Sequence, residues 1–141
     1  MSYTLSVAVP LSFAETTERV RAALGGQGFG VLSESDIRAT FAAKLGPEAA
    51  TALGEYVILG ACNPGLARRA LAAEPQLGAL LPCNVVVRRA PDDQETTIDA
   101  VDPLTLVQLS DSPQVKAVAD DASTRMKAML SSVVAATQPA A

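Results

Sequence analysis

Histidine is absent from this sequence of 141 residues. Catalysis by a Ser-His or Cys-His pair within the chain is therefore excluded, and so is any metal site with a histidine ligand. Tryptophan is absent as well, and aromatic residues make up only 4% of the chain, whereas hydrophobic residues make up 49%. Because most of these are alanine and valine, we expect a core of small and branched side chains.

Basic residues and long apolar runs are also scarce. The chain has 11 Lys and Arg against 15 Asp and Glu, a net charge of −4. A nucleic-acid surface needs clustered basic residues, so nucleic acid is not an expected partner. No apolar run approaches the roughly 20 residues of a membrane span, and no membrane partner is expected. The opening residues lack a basic segment and alternate in polarity, which predicts a strand of the mature protein and a cytoplasmic location.

Cysteine occurs twice, at Cys62 and Cys83, and each is followed by asparagine. Cytoplasmic thiols are normally reduced. Two cysteines without histidine are too few for a closed zinc site in one chain, so we predict no metal and no cofactor. A metal site completed by carboxylates or shared across a dimer is the weaker alternative.

The chain length suits one domain, predicted over residues 1–135 with a disordered tail at 136–141. Alternation over residues 3–9 predicts a strand that Pro10 ends. Ser12 and Glu15 fit a capping box at the start of a helix, and "GGQG" at 25–28 ends that helix. This glycine cluster follows a helix and does not match G-x-G-x-x-G, so it does not indicate a nucleotide loop.

The later elements follow from periodicity and turn residues. They are a short strand at 29–32, a short helix capped by Asp36, a loop at 46–54, a strand at 56–59, a helix from Pro64 to about Glu74, and a hairpin of strands 85–87 and 96–101. Residues 104–109 fit a strand or a helix equally well. Ser112 and Pro113 begin a long helix whose apolar positions are 115, 118, 122, 126, 129 and 133.

Cys62, Asn63 and Pro64 stand where a buried strand meets a helix. Asn63 fits the N-cap and Pro64 the first helical position, which explains both residues structurally. Cys62 then lies beside the positive end of the helix dipole, which favours a thiolate or a bound anion. Cys83 and Asn84 begin the next strand. Whether the two thiols meet depends on strand direction: antiparallel strands bring them together.

Glu34 and Asp36 are the remaining candidates. On a strand, residues two apart share a face, so these carboxylates would form an acidic pair. Asp36 as a helix cap is the competing interpretation.

In this order the segments "GQGFGVLSESDI", "KLG", "YVILGACNPGLARRALAAEPQLGALLPCNVVVR" and "VDP" resemble the DUF302 family, a domain of unknown function. The resemblance covers most of the chain from Gly26 to Pro103. It implies an α+β fold like that of the TATA-binding protein, with a curved, mainly antiparallel sheet, helices on one side and homodimers. It supplies candidate positions without roles, namely Cys62, Asn63, Pro64, Cys83 and Asn84.

Three functions remain open. The first is a homodimeric binding module with a small ligand near the two Cys-Asn pairs, with Asp36 as a further candidate ligand residue; this makes a non-enzyme the favoured expectation. The second is a thiol-based redox or sensor protein in which Cys62 and Cys83 react. The third is a structural protein whose dimer contact uses residues 104–109 and the apolar stripe of the last helix.

Overall fold

The structure is a computed structural model that describes residues 2–137, apart from the side chains of residues 106 and 107. In chain order its elements are β1 (Thr4–Val9), α1 (Phe13–Gly26), β2 (Gly30–Asp36), α2 (Ile37–Leu45), α3 (Pro47–Leu53), β3 (Glu55–Cys62), α4 (Pro64–Ala73), a first 3-10 helix (Pro75–Leu80), β4 (Cys83–Arg89), β5 (Thr96–Val101), a second 3-10 helix (Pro103–Leu109) and α5 (Pro113–Ala136). Of the predicted tail, 138–141 lie outside the described residues.

The strands form one antiparallel sheet in the order β1-β5-β4-β3-β2. Alternation along the strands places one set of side chains on a single face. On that face Leu59, Val85, Val87, Ile98 and Ala100 are completely buried. They pack with residues of α1 and α5 into the main core. The predicted α+β fold, with an antiparallel sheet, helices on one side and a long C-terminal helix, is confirmed.

Local sequence signals predicted the starts of α1 and α5 correctly. The hydroxyl of Ser12 accepts a hydrogen bond from the Glu15 amide at 3.1 Å, and that of Ser112 accepts from Val115 at 3.3 Å. The other half of the predicted capping box is replaced, because the Glu15 carboxylate pairs with Arg19 at 3.1 Å. The predicted N-cap residues are therefore confirmed, whereas the Glu15 carboxylate forms an ion pair with Arg19 and does not complete the capping box.

Two sequence predictions need correction. The second strand continues past residue 32 to Asp36, and residues 47–53, predicted as a loop, form α3. Strand β2 is an edge strand with mostly exposed side chains, so hydrophobic alternation is weak there. Helix α3 is only seven residues long, below the length at which periodicity is informative. The ambiguous segment 104–109 lies in the second 3-10 helix.

Helix α5 contributes to two cores. Its C-terminal half packs in the main core through Met126, Met129 and Val133. Its N-terminal half, with Val115, Val118 and Ala122, packs against α4 and the first 3-10 helix in a second core. The six positions of the apolar stripe are all buried in the chain, so they are not available for the dimer contact that the pattern suggested.

No helix among residues 2–137 is long and apolar enough to cross a membrane.

Candidate functional site

The passage from β3 into α4 is built as its residue types predict. Cys62 is the last residue of β3, and Pro64 is the first of α4. Between them, the Asn63 side-chain oxygen accepts a hydrogen bond from the Leu66 amide at 3.2 Å. Asn63 is thus the N-cap, and the structural account of Asn63 and Pro64 is correct.

The Asn63 side chain lies close to Gly28, in the turn that follows α1. A Cβ atom added at Gly28 would lie 3.0 Å from Nδ2 of Asn63, so this glycine leaves room for the amide. Gly28 has a φ of 82°, a conformation that favours glycine. Arg125 donates from Nη1 to the carbonyl of Gln27 at 3.0 Å and so ties α5 to the same turn. The turn after α1 thus lies beside the N-cap of α4 and is also bonded to α5.

The two cysteines lie at neighbouring strand ends. In the antiparallel β3–β4 ladder, Ala61 pairs with Cys83, so Cys62 is one residue beyond the partner of Cys83. The antiparallel alternative left open by the sequence is the one that occurs. Both cysteines are free, partly exposed thiols.

Both cysteines line one cavity of about 50 Å³, which we call the thiol cavity. It lies between the sheet end, α4 and the N-terminal half of α5. Apart from Cys62, Asn63 and Cys83, its walls are apolar: Phe29, Ala61, Leu66, Ala67, Ala70, Leu77, Leu81, Pro82, Pro103, Val115, Val118, Ala119 and Ala122. Of the apolar lining residues, Ala67, Leu81 and Pro82 are partly exposed.

Burial suppresses the ionisation of Cys83 on one wall of the thiol cavity. Burial, and then the nearby Cys62, raise the pKa of the Cys83 thiol from 9.0 to about 11. At pH 7 roughly one Cys83 in ten thousand is then a thiolate, the reactive form. Cys83 is accordingly a neutral, weakly polar wall at physiological pH.

The start of α4 offers little to an anion. Pro64 has no amide hydrogen, the Leu66 amide bonds the Asn63 side chain, and the Ala67 amide bonds the Asn63 carbonyl at 2.9 Å. The first turn is left with at most the Gly65 amide. The cavity therefore suits an apolar occupant better than the anionic one considered from the sequence.

Other predicted site residues lie elsewhere. Pro64 and Asn84 are exposed and do not line the thiol cavity. Asp36 pairs with Val57, five residues before Cys62 on β3, and caps α2 by accepting from the Ala39 amide at 2.9 Å.

Glu34 and Asp36 do not form the predicted acidic pair, because each carboxylate has a different partner. Glu34 instead forms an ion pair with Arg21 of α1 at 2.9 Å. Among the described residues, no three His, Cys, Asp or Glu side chains are grouped to hold a metal ion.

The sequence did not predict that α5 forms one wall of the thiol cavity. Val115, Val118 and Ala122 were recognised as an apolar helix stripe, but nothing local shows that they face the cysteines. Gly60 was also missed. A Cβ atom there would collide with Oγ of Ser33 and come within 2.8 Å of Pro82, so this glycine lets the chain before Cys83 pack on β3.

Comparison with known proteins agrees with this architecture. The family model for the domain of unknown function DUF302 matches residues 5–133. The chain belongs to the DUF302 family. A crystal structure of an uncharacterized conserved DUF302 protein from Bacillus stearothermophilus is similar, with a TM-score of 0.82 and 29% sequence identity over 94% of this chain and 99% of that one. No curated protein matches the sequence. DUF302 membership thus supports the fold and leaves the function to be argued from the site.

Proposed function

We propose that the protein is a non-catalytic, homodimeric binding module that takes a small apolar molecule into the thiol cavity. The observation that carries this proposal is the lining: an almost wholly apolar wall interrupted by Asn63 and two thiols. Such a combination is typical of ligand sites, where apolar surface supplies affinity and a few polar atoms fix orientation.

The size of the cavity narrows the ligand class. An engineered apolar cavity of about 150 Å³ stays dry and binds benzene or xenon. At about 50 Å³, the thiol cavity suits a ligand of very few atoms, or one end of a longer apolar molecule that enters past Leu81 and Pro82. Soft, polarizable sulfur atoms pack well against such groups.

Methyl NMR spectra recorded under xenon, and separately with benzene, test this proposal. Methyl signals of cavity residues such as Leu66 and Val118 are expected to shift in a saturable way with xenon. Ala67→Leu places a larger side chain at the cavity wall and is expected to abolish the effect. Ala72→Leu adds the same atoms to an exposed position of α4 and is the matched control.

Two results would contradict the binding proposal. One is the absence of saturable shifts at the cavity methyls with both xenon and benzene. The other is unchanged binding in Ala67→Leu. Native mass spectrometry of gently purified protein would, in parallel, report any retained small molecule and the subunit number.

The homodimer is proposed to form through β1. The two edges of the sheet differ: β2 carries Glu34, Asp36 and a bulge after Val31, whereas all six residues of β1 are uncharged. Charges and bulges protect edge strands from pairing, and β1 has neither. A groove of about 310 Å³ flanks β1 between Val7 and Val134, and a second copy would extend the sheet and fill it.

A thiol-based redox or sensor role is the second candidate, favoured by the neighbouring strand positions of Cys62 and Cys83. Hydrogen peroxide would accept two electrons and two protons from the thiols and leave as water, with one disulfide formed. The raised pKa of Cys83 opposes this role. Intact-mass measurement after peroxide treatment tests it through the loss of two hydrogens. Either role is proposed for the cytoplasm, where both thiols stay reduced.

A further inference from the structure

A second cavity, of about 560 Å³, lies at the other end of the sheet. Strand β4 joins the two places, because Cys83 at its start lines the thiol cavity and Arg89 at its end lines this cleft. At about 3.4 Å per strand residue, the two ends are roughly 20 Å apart. The volume falls within the range of about 300 to 1,000 Å³ that is usual for small-molecule sites. We call it the arginine cleft.

Arg89 is hydrogen-bonded to neutral groups in the arginine cleft. Its Nη1 donates to the carbonyl of Leu11 at 3.1 Å and to the hydroxyl of Thr96 at 3.0 Å. Within the described part of the chain, no carboxylate lies within ion-pair distance of Arg89, and Nε and Nη2 have no partner. A half-buried guanidinium with two unused donor nitrogens is suited to receive an oxyanion.

Arg38 of α2 lines the same cleft and is exposed. Among residues 2–137 its side chain has no hydrogen bond or ion pair. Among the described residues of the lining, Glu55 is the one carboxylate, and it forms no ion pair with either arginine. Two guanidinium groups against one carboxylate leave the lining with a net positive charge, although the chain as a whole carries −4.

We propose that the arginine cleft binds a small molecule through a carboxylate or phosphate group. Arg89 supplies a fixed pair of donors, and Arg38 supplies a second, movable cation. The first residues of α1, Ser12 and Phe13, form another part of the wall. Since the Ser12 side chain caps the Glu15 amide, the Phe13 amide stays available at the positive end of the helix. This site is independent of the thiol cavity and of its proposed ligand.

The test is an NMR titration in phosphate-free buffer at constant ionic strength. One arm uses inorganic phosphate and the other succinate. We expect saturable shifts of the Arg38 and Arg89 Nε–H signals and of the Phe13 amide. The arm that saturates at lower concentration identifies the preferred oxyanion.

Substitutions at Arg38 make the titration decisive, because this exposed side chain has no structural partner to lose. Arg38→Gln is expected to weaken binding about tenfold, as the loss of one charge-assisted contact predicts. Arg38→Lys keeps the charge and should retain part of the affinity. Arg68→Gln removes the same charge from an exposed site on α4 and should change nothing.

The proposal is overturned if the shifts grow linearly without saturation and equally at Arg68 and Arg69, as general charge screening would produce. It is also overturned if Arg38→Gln binds both anions as tightly as the unchanged protein.

Discussion

At the residue scale, the two cysteines differ more than their similar surroundings suggest. Each stands before an asparagine at a strand end, yet burial holds the pKa of Cys83 at about 11. Cys62 lies one residue before the helix N-cap and lines the same cavity. Chemical reactivity should therefore be concentrated at Cys62.

We expect iodoacetamide to label Cys62 faster than Cys83 at neutral pH. The Cys83 rate should rise about tenfold with each pH unit and show no plateau below pH 10, because its thiolate population is still growing there. Cys62→Ser and Cys83→Ser each leave a single thiol, and mass spectrometry gives the separate rates. Equal and very slow labelling of both would count against any thiol chemistry.

Asn63→Ala should lower the free energy of unfolding by about 1 kcal/mol, since the Leu66 amide loses its cap. Asn84→Ala removes the same amide group from an exposed position and should change stability by less than about 0.5 kcal/mol. Urea unfolding measures both. Unchanged stability of Asn63→Ala together with lost xenon binding would assign Asn63 to the ligand and not to the helix.

At the element scale, features set by residues close in sequence could be predicted, whereas features set by distant residues could not. Asn63, Pro64 and Asp36 could be assigned from sequence because a helix cap involves only the next few residues. The meeting of Cys62 with Cys83 could not, because it depends on the direction of β3 against β4, and short apolar strands fit either direction. The far wall on α5 is separated from Cys62 by about fifty residues, so no periodicity could place it there.

The face of the sheet away from the core holds an ionic link across three strands. Arg88 of β4 donates from Nε to Oδ2 of Asp99 on β5 at 2.6 Å, and Ser6 of β1 donates to Oδ1 at 2.6 Å. Burial acts to raise the pKa of Asp99. The hydrogen bonds from Arg88 and Ser6 outweigh it and lower the pKa below its ordinary 3.8.

This link predicts a pH dependence with a definite sign. A carboxyl whose pKa is lowered by folding adds stability above its unfolded pKa and loses it as the pH falls through the folded value. The stability of the unchanged protein should therefore drop below about pH 4, and Asp99→Asn should show a smaller drop. Urea unfolding between pH 6 and pH 2 measures both slopes. Parallel slopes would mean that Asp99 is not the group responsible.

At the scale of the whole molecule, the different edges of the sheet predict how copies associate. The protein should elute as a dimer at micromolar concentration, and light scattering reports its mass. Ala8→Lys places like charges on two paired β1 strands and should give monomers. Ser35→Lys puts the same charge on exposed β2 and should leave the dimer intact. A monomer at every concentration of the unchanged protein would remove the proposed association.

Because α5 packs in two separate cores, its two halves should differ in hydrogen exchange. The N-terminal half packs in the second core with α4 and the first 3-10 helix, beside the thiol cavity, whereas the C-terminal half packs in the main core. Amide protons near Val118 should exchange through partial opening, and those near Met129 only when the molecule unfolds globally. Hydrogen exchange along this one helix would thus report two free energies, one of partial opening and one of global unfolding. A ligand in the thiol cavity should slow exchange in the first half of the helix alone.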